Sequence, residues 1–214
     1  LINPVNTPTY PPLNLALLAG YLRQYGKKSH EIKIWDACFQ KDLHAWLRKF
    51  KPKVIGITTF SPAILDIYEL AKGIKKTLEG HSFLLVAGGI HATLFPHEAV
   101  EHGFDVAVVG EGEKTFTEVV DAYLDSFVIT PAWSEIEGIV YRAPGGNLVA
   151  TSSRALIPDL DQIPHPAREL LANKKYHHRY FIMRGMGTSG VYTLHGARGC
   201  PYHCIFCCVN FAVP

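Results

Sequence analysis

The sequence predicts an α/β fold in which a five-stranded parallel sheet is doubly wound, with helices on both faces. Two observations predict it. β-rich runs alternate with helical apolar patterns over residues 1–126, and glycine or threonine directly follows three of these runs. Each crossover helix returns the chain to the same end of the sheet, so the strands are parallel. The 214 residues are 48% hydrophobic, which is enough to bury one substantial core.

The first two strand and helix units are recognisable from their periodicity. A short strand over residues 1–3 precedes a helix over residues 13–25, whose leucines recur at helical spacing. Alternating apolar and polar residues then predict a strand over residues 31–35, followed by a helix over residues 41–50.

The remaining three units begin with continuous apolar runs, which are typical of strands buried on both faces. They are strands over residues 54–58, 83–87 and 106–109, followed by helices over residues 63–78, 93–102 and 114–124. Glu111 and Glu113 precede the last helix, where the helix dipole favours negative charge. The sequence therefore predicts five strand and helix units in a first domain of residues 1–126.

A change of composition predicts a linker over residues 127–190. Two β-rich segments, residues 136–142 and 148–152, flank a glycine turn and predict a β-hairpin. Prolines make residues 157–166 extended, and a short helix is expected over residues 167–172. We expect this segment to connect the first domain to a second one.

Ligands of open parallel sheets bind at the carboxyl ends of the strands. This rule brings three loops into one crevice, namely residues 58–61, 88–93 and 110–113. The two glycines that open the second loop would let the backbone approach a large ligand closely. A dinucleotide is disfavoured because no G-x-G-x-x-G follows the first strand, and Glu113 replaces the glycine before the lysine of a phosphate loop.

Three cysteines near the end of the chain form a C-x-x-x-C-x-x-C pattern, namely Cys200, Cys204 and Cys207. Three thiolates can each bind one iron of a cubane cluster and leave the fourth iron open. A structural zinc site is a weaker alternative because it needs a fourth ligand, and His203 and Cys208 are both direct neighbours of another ligand. A disulfide framework is also disfavoured, because the chain has five cysteines and one lies far from the others.

This cysteine loop, with Phe206 before its last cysteine, resembles the cluster loop of radical S-adenosylmethionine enzymes. Residues 1–125 resemble the cobalamin-binding domain that precedes many of these enzymes, among them class B methylases and an anaerobic cyclase. The motifs that carry this second resemblance are residues 10–13 (YPPL), 88–93 (GGIHAT) and 109–113 (VGEGE). The resemblance implies a flavodoxin-like first domain, and it makes residues 191–214 the truncated beginning of a (β/α) barrel whose first strand is residues 191–195.

The resemblance also implies which residues hold each cofactor. Cys200, Cys204 and Cys207 would hold a 4Fe-4S cluster whose open iron binds S-adenosylmethionine. No catalytic residue is assigned, because the substrate pocket of such enzymes belongs mainly to the rest of the barrel. Cobalamin would be bound by residues at the strand ends, namely Thr59, Ser61, Gly88, Gly89, His91, Gly110, Glu111 and Gly112.

Cobalt is expected to receive no histidine ligand from this protein. Domains that ligate cobalt through histidine have the pattern D-x-H-x-x-G, and the corresponding segment here keeps Gly20 but has Leu17 in place of the histidine. Peripheral amides of the corrin are expected to donate hydrogen bonds to Glu111.

The implied reaction is methylation of an unactivated carbon. Cleavage of S-adenosylmethionine by the reduced cluster would give a 5′-deoxyadenosyl radical, which abstracts hydrogen from the substrate, and methylcobalamin would supply the methyl group. Two alternatives stay open. The same cofactors could be used for oxidative cyclisation or rearrangement, or the chain could be a non-catalytic corrinoid-binding module, for which the cysteine loop would have no use.

Composition limits the partners that the protein can have. The formal charge is +2 without a long run of like charge, which gives no basis for nucleic-acid binding. No apolar segment approaches the length of a membrane span. We expect a cytoplasmic enzyme that acts on a small-molecule substrate, and the resemblance implies an external electron donor such as flavodoxin or ferredoxin.

Overall fold

A computed structural model describes residues 1–4, 11–172, 176, 193–202 and 204–208 of the chain. The described strands are β1 (Ile2–Asn3), β2 (Trp35–Asp36), β3 (Val54–Thr58), β4 (Leu84–Gly88), β5 (Val106–Val108), β6 (Ile139–Arg142) and β7 (Leu148–Ala150). The described α-helices are α1 (Leu13–Tyr25), α2 (Leu43–Phe50), α3 (Ile64–Thr77), α4 (Ile90–Leu94), α5 (Pro96–Glu101) and α6 (Gly112–Ser126).

The strands form one sheet in the order β2-β1-β3-β4-β5-β6-β7. Strands β1 to β5 are parallel, which confirms the predicted α/β fold and gives the flavodoxin-like strand order. Strand β6 pairs antiparallel with β5, and β7 pairs antiparallel with β6. The predicted hairpin therefore exists, but it extends the sheet rather than standing apart in a linker. The domain boundaries themselves stay predictions.

Two apolar cores cover the two faces of this sheet. Leu85 points into the core formed with α2, α3 and α5, and the next residue, Val86, points into the core formed with α6 and the hairpin. Successive side chains of a strand face opposite sides, so β4 contributes fully buried side chains to both cores. This arrangement explains why its sequence is continuously apolar, as expected for a doubly wound sheet.

Several predicted elements are shorter than expected. The hairpin strands predicted over residues 136–142 and 148–152 are observed at Ile139–Arg142 and Leu148–Ala150. The strand predicted over residues 31–35 is observed at Trp35–Asp36, where it pairs with Ile2 and Asn3 of β1. The helix predicted over residues 167–172 is a 3₁₀ turn at Arg168–Leu170.

The helix predicted over residues 93–102 begins earlier and is divided in two. Helix α4 begins directly after Gly89, and α5 begins at Pro96. Proline has no backbone N–H and its ring clashes with the preceding turn, so the first helix ends before it. The division keeps the short α4 against the carboxyl ends of β3 and β4.

The predicted start of a barrel is not observed as a strand. Val191 and Tyr192 lie outside the described residues, and residues 193–195 have no partner strand in the part of the chain that the structure describes. The barrel stays a prediction. None of the described helices is long and apolar enough to cross a bilayer.

Candidate functional site

The three predicted loops meet at the carboxyl edge of the sheet. The hydroxyl of Thr59 donates to the carbonyl of Gly88 at 2.9 Å and accepts from the backbone N–H of Ala92 at 3.0 Å. The hydroxyl of Thr93 accepts a hydrogen bond from the backbone N–H of Gly110 at 3.1 Å. The first loop is thus bonded to the second, and the second to the third.

A cavity of about 150 Å³ opens beside these loops. A Cβ atom added at Gly88 or Gly110 would meet no atom within 4 Å, so these glycines border open space. Four of the eight residues predicted to bind cobalamin line the cavity, namely Gly88, Gly89, Gly110 and Gly112. A larger cavity of about 320 Å³, lined by Leu1 and Val54 among others, contains none of the eight.

Gly89 is required by backbone conformation as well as by space. Its φ of +95° lies in the region that favours glycine. A Cβ there would come within 3.0 Å of the Thr58 hydroxyl and of the Thr59 carbonyl. The second loop can therefore pass directly over the end of β3 only with glycine at this position.

The other walls of the cavity combine apolar and polar side chains. Leu15 and Leu18 of α1 and Phe116 of α6 supply apolar surface. Asn14 also lines the cavity, and its amide donates to the hydroxyl of Thr58 at 3.1 Å. Sequence reasoning missed Asn14, because a single asparagine in an apolar helix gives no signal of its position at a strand end.

His91 is buried away from the cavity and belongs to a chain of hydrogen bonds. Tyr68 donates to Glu98 at 3.1 Å, so its oxygen accepts from His91 Nε2, also at 3.1 Å. The hydroxyl of Ser61 then donates to His91 Nδ1 at 3.0 Å. Burial lowers the pKa of His91 below its ordinary value, although the nearby Glu98 acts in the opposite direction. His91 is therefore held neutral and orients the exposed Ser61.

Two carboxylates at the start of α6 bind Arg198. Arg198 Nη1 donates to Glu111 Oε1 at 2.9 Å, and Nη2 donates to Glu113 Oε1. The other Glu111 oxygen accepts from the backbone N–H of Ile157 at 2.7 Å. Both oxygens of Glu111 therefore have protein partners, and the corrin amides expected to bind it would have to share them. Burial opposes the charge of Arg198, but the hydrogen bonds to Glu113 and Glu111 outweigh it and raise the pKa of Arg198 above its ordinary value.

The cysteine loop lies at the protein surface. Cys200 and Cys204 are exposed, Cys207 is half-buried, and its backbone N–H donates to the Cys204 carbonyl at 3.0 Å. Among the described residues, no three histidine, cysteine or carboxylate side chains are gathered as a metal site. Three cysteines at this spacing suit an iron–sulfur cluster, but their sulfur atoms are not brought together as ligands of one cluster. His203, considered as a zinc ligand, lies outside the described residues.

The position that would hold a cobalt-ligating histidine lies inside a helix. Leu17 is part of α1 rather than of a strand-end loop, and Gly20 lies one turn further along. A Cβ at Gly20 would come within 2.5 Å of the His165 carbonyl. The lack of a side chain at Gly20 therefore leaves room for the backbone of residues 165–167, which packs against α1. The absence of a histidine ligand to cobalt stays a prediction. Tyr10, the first residue of the YPPL motif, lies outside the described residues.

Residues 6–120 match the family model described as B12 binding domain. The match spans more than half of the 214 residues. The chain belongs to the B12-binding domain family. The resemblance noted from the strand-end motifs is thereby confirmed.

Two curated relatives cover nearly the whole chain. An uncharacterized methyltransferase of Pyrococcus horikoshii is 35% identical, over 93% of this chain and 40% of its own length. An anaerobic magnesium-protoporphyrin IX monomethyl ester cyclase of Rubrivivax gelatinosus is 31% identical, over 92% of this chain and 35% of its own length. The chain thus spans well under half of the length of either relative.

A solved structure shares the fold. It is the cobalamin-dependent S-adenosylmethionine radical enzyme OxsB with aqua-cobalamin and S-adenosylmethionine bound, and it superimposes with a TM-score of 0.72 at 20% identity. The superposition covers 96% of this chain and 27% of OxsB.

Proposed function

We propose that this chain is the cobalamin-binding part, with the cluster loop, of a cobalamin-dependent radical S-adenosylmethionine enzyme that methylates an unactivated carbon. One observation carries the proposal. The same chain combines membership of the B12-binding family over residues 6–120 with the C-x-x-x-C-x-x-C pattern of Cys200, Cys204 and Cys207. The methyltransferase relative and the fold shared with OxsB support it.

The strand-end residues would hold cobalamin at the cavity. Gly88 and Gly110 leave space beside the strand ends that any side chain would occupy. This space would admit a slender part of the ligand, such as its nucleotide tail. Ser61 is exposed next to the second loop and can exchange hydrogen bonds with a ligand. Leu15 and Phe116 add apolar contact.

The exposed thiols would hold the cluster. Cys200, Cys204 and Cys207 would each bind one iron as a thiolate. When bound, the cluster supplies the electron that cleaves S-adenosylmethionine, and cobalamin supplies a methyl carrier. The remaining work of the chain is to hold the two groups at the same edge of the sheet.

Hydroxocobalamin binding to the purified chain tests the first half of the proposal. Gly88→Trp fills the cavity, and we expect it to abolish the change in visible absorption that accompanies binding. Gly145→Trp is the matched control, because Gly145 lies in the exposed hairpin turn with no atom near its Cβ position. Undiminished binding by a folded Gly88→Trp variant would contradict the assignment of this cavity.

Anaerobic reconstitution with iron and sulfide tests the second half. The wild-type chain should gain iron and the broad near-visible absorption of an iron–sulfur cluster, and Cys204→Ala should lose both. Cys38→Ala is the control, because this cysteine is distant from the loop in sequence. Equal iron contents in Cys204→Ala and the wild type would rule out the proposed ligand set.

Cyclisation is a second candidate reaction, favoured by the similarity to the cyclase over 92% of the chain. The two reactions differ in the fate of the methyl group of S-adenosylmethionine. Methylation must transfer a labelled methyl group to the product, whereas cyclisation need not. Product analysis with methyl-labelled S-adenosylmethionine therefore separates them.

A further inference from the structure

One guanidinium connects the cysteine loop to the wall of the strand-end cavity. Arg198 lies two residues before Cys200 and binds two carboxylates, that of Glu111 just before α6 and that of Glu113 in the first turn of α6. One of them, Glu113, lines the cavity, and its side chain is only 8% exposed. Arg198 therefore links the segment just before the first cysteine to a side chain that lines the cavity.

Hydrogen bonds to other parts of the chain fix the acidic partners of Arg198 in place. Glu111 is 10% exposed and is fixed by the backbone N–H of Ile157, and Gly110 is fixed by Thr93. The planar guanidinium binds two separate carboxylates through two different nitrogens, a geometry that a lysine ammonium does not reproduce. The carboxylates of Glu111 and Glu113 thus form a preformed binding site for Arg198.

We propose that Arg198 is a positioning residue that couples the two cofactor sites. It fixes the cysteine loop against the carboxyl edge of the sheet, and a corrinoid in the cavity strengthens this contact by restraining Glu113. The strengthening of the contact by a corrinoid rests on the proposed function, whereas the fixing of the cysteine loop does not. Because binding linkage is reciprocal, loss of the Arg198 contact also weakens corrinoid binding.

Arg198 is itself a cleavage site for trypsin, and this makes the contact measurable. Cleavage requires the guanidinium to leave Glu111 and Glu113 and the loop to open, so its rate follows the open population. The variant Glu111→Gln/Glu113→Gln removes both charge-assisted hydrogen bonds. We expect peptides beginning at Gly199 to appear about tenfold faster or more than in the wild type.

The matched control is Glu169→Gln, which removes the carboxylate of another arginine pair. Glu169 binds Arg23 at the surface, with both side chains exposed, so cleavage after Arg198 should keep its wild-type rate. Equal rates of cleavage after Arg198 in the double variant and the wild type would overturn the positioning role.

A second variant decides the matter if the double variant does not fold. Arg198→Lys keeps a trypsin site at position 198, but an ammonium cannot bind both carboxylates in the same way. Cleavage after this position, normalised to its rate in the urea-unfolded chain, should therefore be several-fold faster than in the wild type. An unchanged normalised rate in Arg198→Lys would overturn the proposal.

Hydroxocobalamin tests the coupling. At saturation it should slow cleavage after Arg198 several-fold in the wild type and leave the Glu111→Gln/Glu113→Gln variant unaffected. Binding seen by visible absorption without any slowing would overturn the coupling. Absence of binding would overturn the proposed function and the coupling together, whereas the positioning role is decided by the measurements without cobalamin.

Discussion

The hydroxyl of Thr93 accepts a hydrogen bond from the backbone N–H of Gly110 at 3.1 Å. The same hydroxyl donates to the carbonyl of Gly89 at 3.0 Å. One side chain therefore fixes the distance between two glycine-containing loops that border the cavity. No apolar residue of similar shape could do this, because both partners are backbone polar groups.

Replacing this hydroxyl should weaken both the fold and ligand binding. Thr93→Val keeps the shape of the side chain but leaves the N–H of Gly110 without this acceptor, and we expect a loss of about 1 kcal/mol in the free energy of unfolding. Hydroxocobalamin affinity should fall as well, because the cavity walls are no longer held together. Ser134→Ala removes a surface hydrogen bond to Pro131 and should leave affinity unchanged. Equal affinities of Thr93→Val and the wild type would contradict this role.

A comparison of Gly89 with Gly80 tests whether the backbone at Gly89 passes close to the end of β3. Both have positive φ, +95° and +78°, so alanine is strained at either position. A Cβ at Gly80 meets nothing within 4 Å, whereas one at Gly89 comes to 3.0 Å from atoms of Thr58 and Thr59, so these neighbours would have to move. We expect Gly80→Ala to lower the free energy of unfolding by about 1 kcal/mol, and Gly89→Ala by at least about 1 kcal/mol more. Urea unfolding measures both, and equal losses would contradict the close approach.

The sequence predicted those parts of the fold that depend on local patterns. Helix α1 and strand β3 have the predicted bounds because their apolar periodicity and β-branched run are properties of neighbouring residues. The attachment of the hairpin to the sheet was not predicted, because it depends on pairing between Val106 and Tyr141, far apart in the chain. Periodicity shows that a strand exists, but not which edge it joins.

The same distinction applies to the site. Gly88, Gly89 and Gly110 lie at or just after the ends of strands, so the rule for parallel sheets found them. Gly56 also lines the cavity but lies inside β3, and it was not predicted. The contact of Arg198 with Glu111 joins residues 87 positions apart, and no sequence pattern links them. His91 was selected from a motif, but the structure shows it buried beneath Ser61, because a motif does not tell which members face the ligand.

Stability should fall on mild acidification because of His91. Burial lowers its pKa in the folded state below the value of 6.5 for the unfolded chain. Between these two values the unfolded state binds more protons than the folded state, so the free energy of unfolding decreases as the pH falls through this range. Tyr68 and Glu98 face the ring and remain unchanged in His91→Gln, which removes only the imidazole.

His91→Gln should therefore show a smaller decrease in the free energy of unfolding than the wild type between about pH 7.5 and about pH 5.5. His97→Gln is the control, because His97 is exposed on α5. Urea unfolding at the two pH values measures the difference. A decrease in His91→Gln as large as in the wild type would show that His91 is not the group responsible.

Cys38 should be chemically distinct from the cysteines of the cluster loop. Burial, followed by the negative charge of Asp36, raises the pKa of Cys38 to about 11. The thiolate is the species that reacts and that binds metal. At about pH 8 the reduced, metal-free chain should therefore react with iodoacetamide at least about tenfold more slowly at Cys38 than at the exposed Cys200 and Cys204.

Mass spectrometry of the alkylated peptides gives each rate. Asp36→Asn should accelerate the reaction of Cys38 but not equalise it with the loop cysteines, because burial is the larger cause of the raised pKa. Asp66→Asn, at an exposed position on α3, should change nothing. Alkylation of wild-type Cys38 as fast as Cys200 would contradict the raised pKa. A slow Cys38 would be a weaker competitor for iron than the loop cysteines, because the thiolate is the form that binds metal. Iron bound in reconstitution would then report mainly on the cysteine loop.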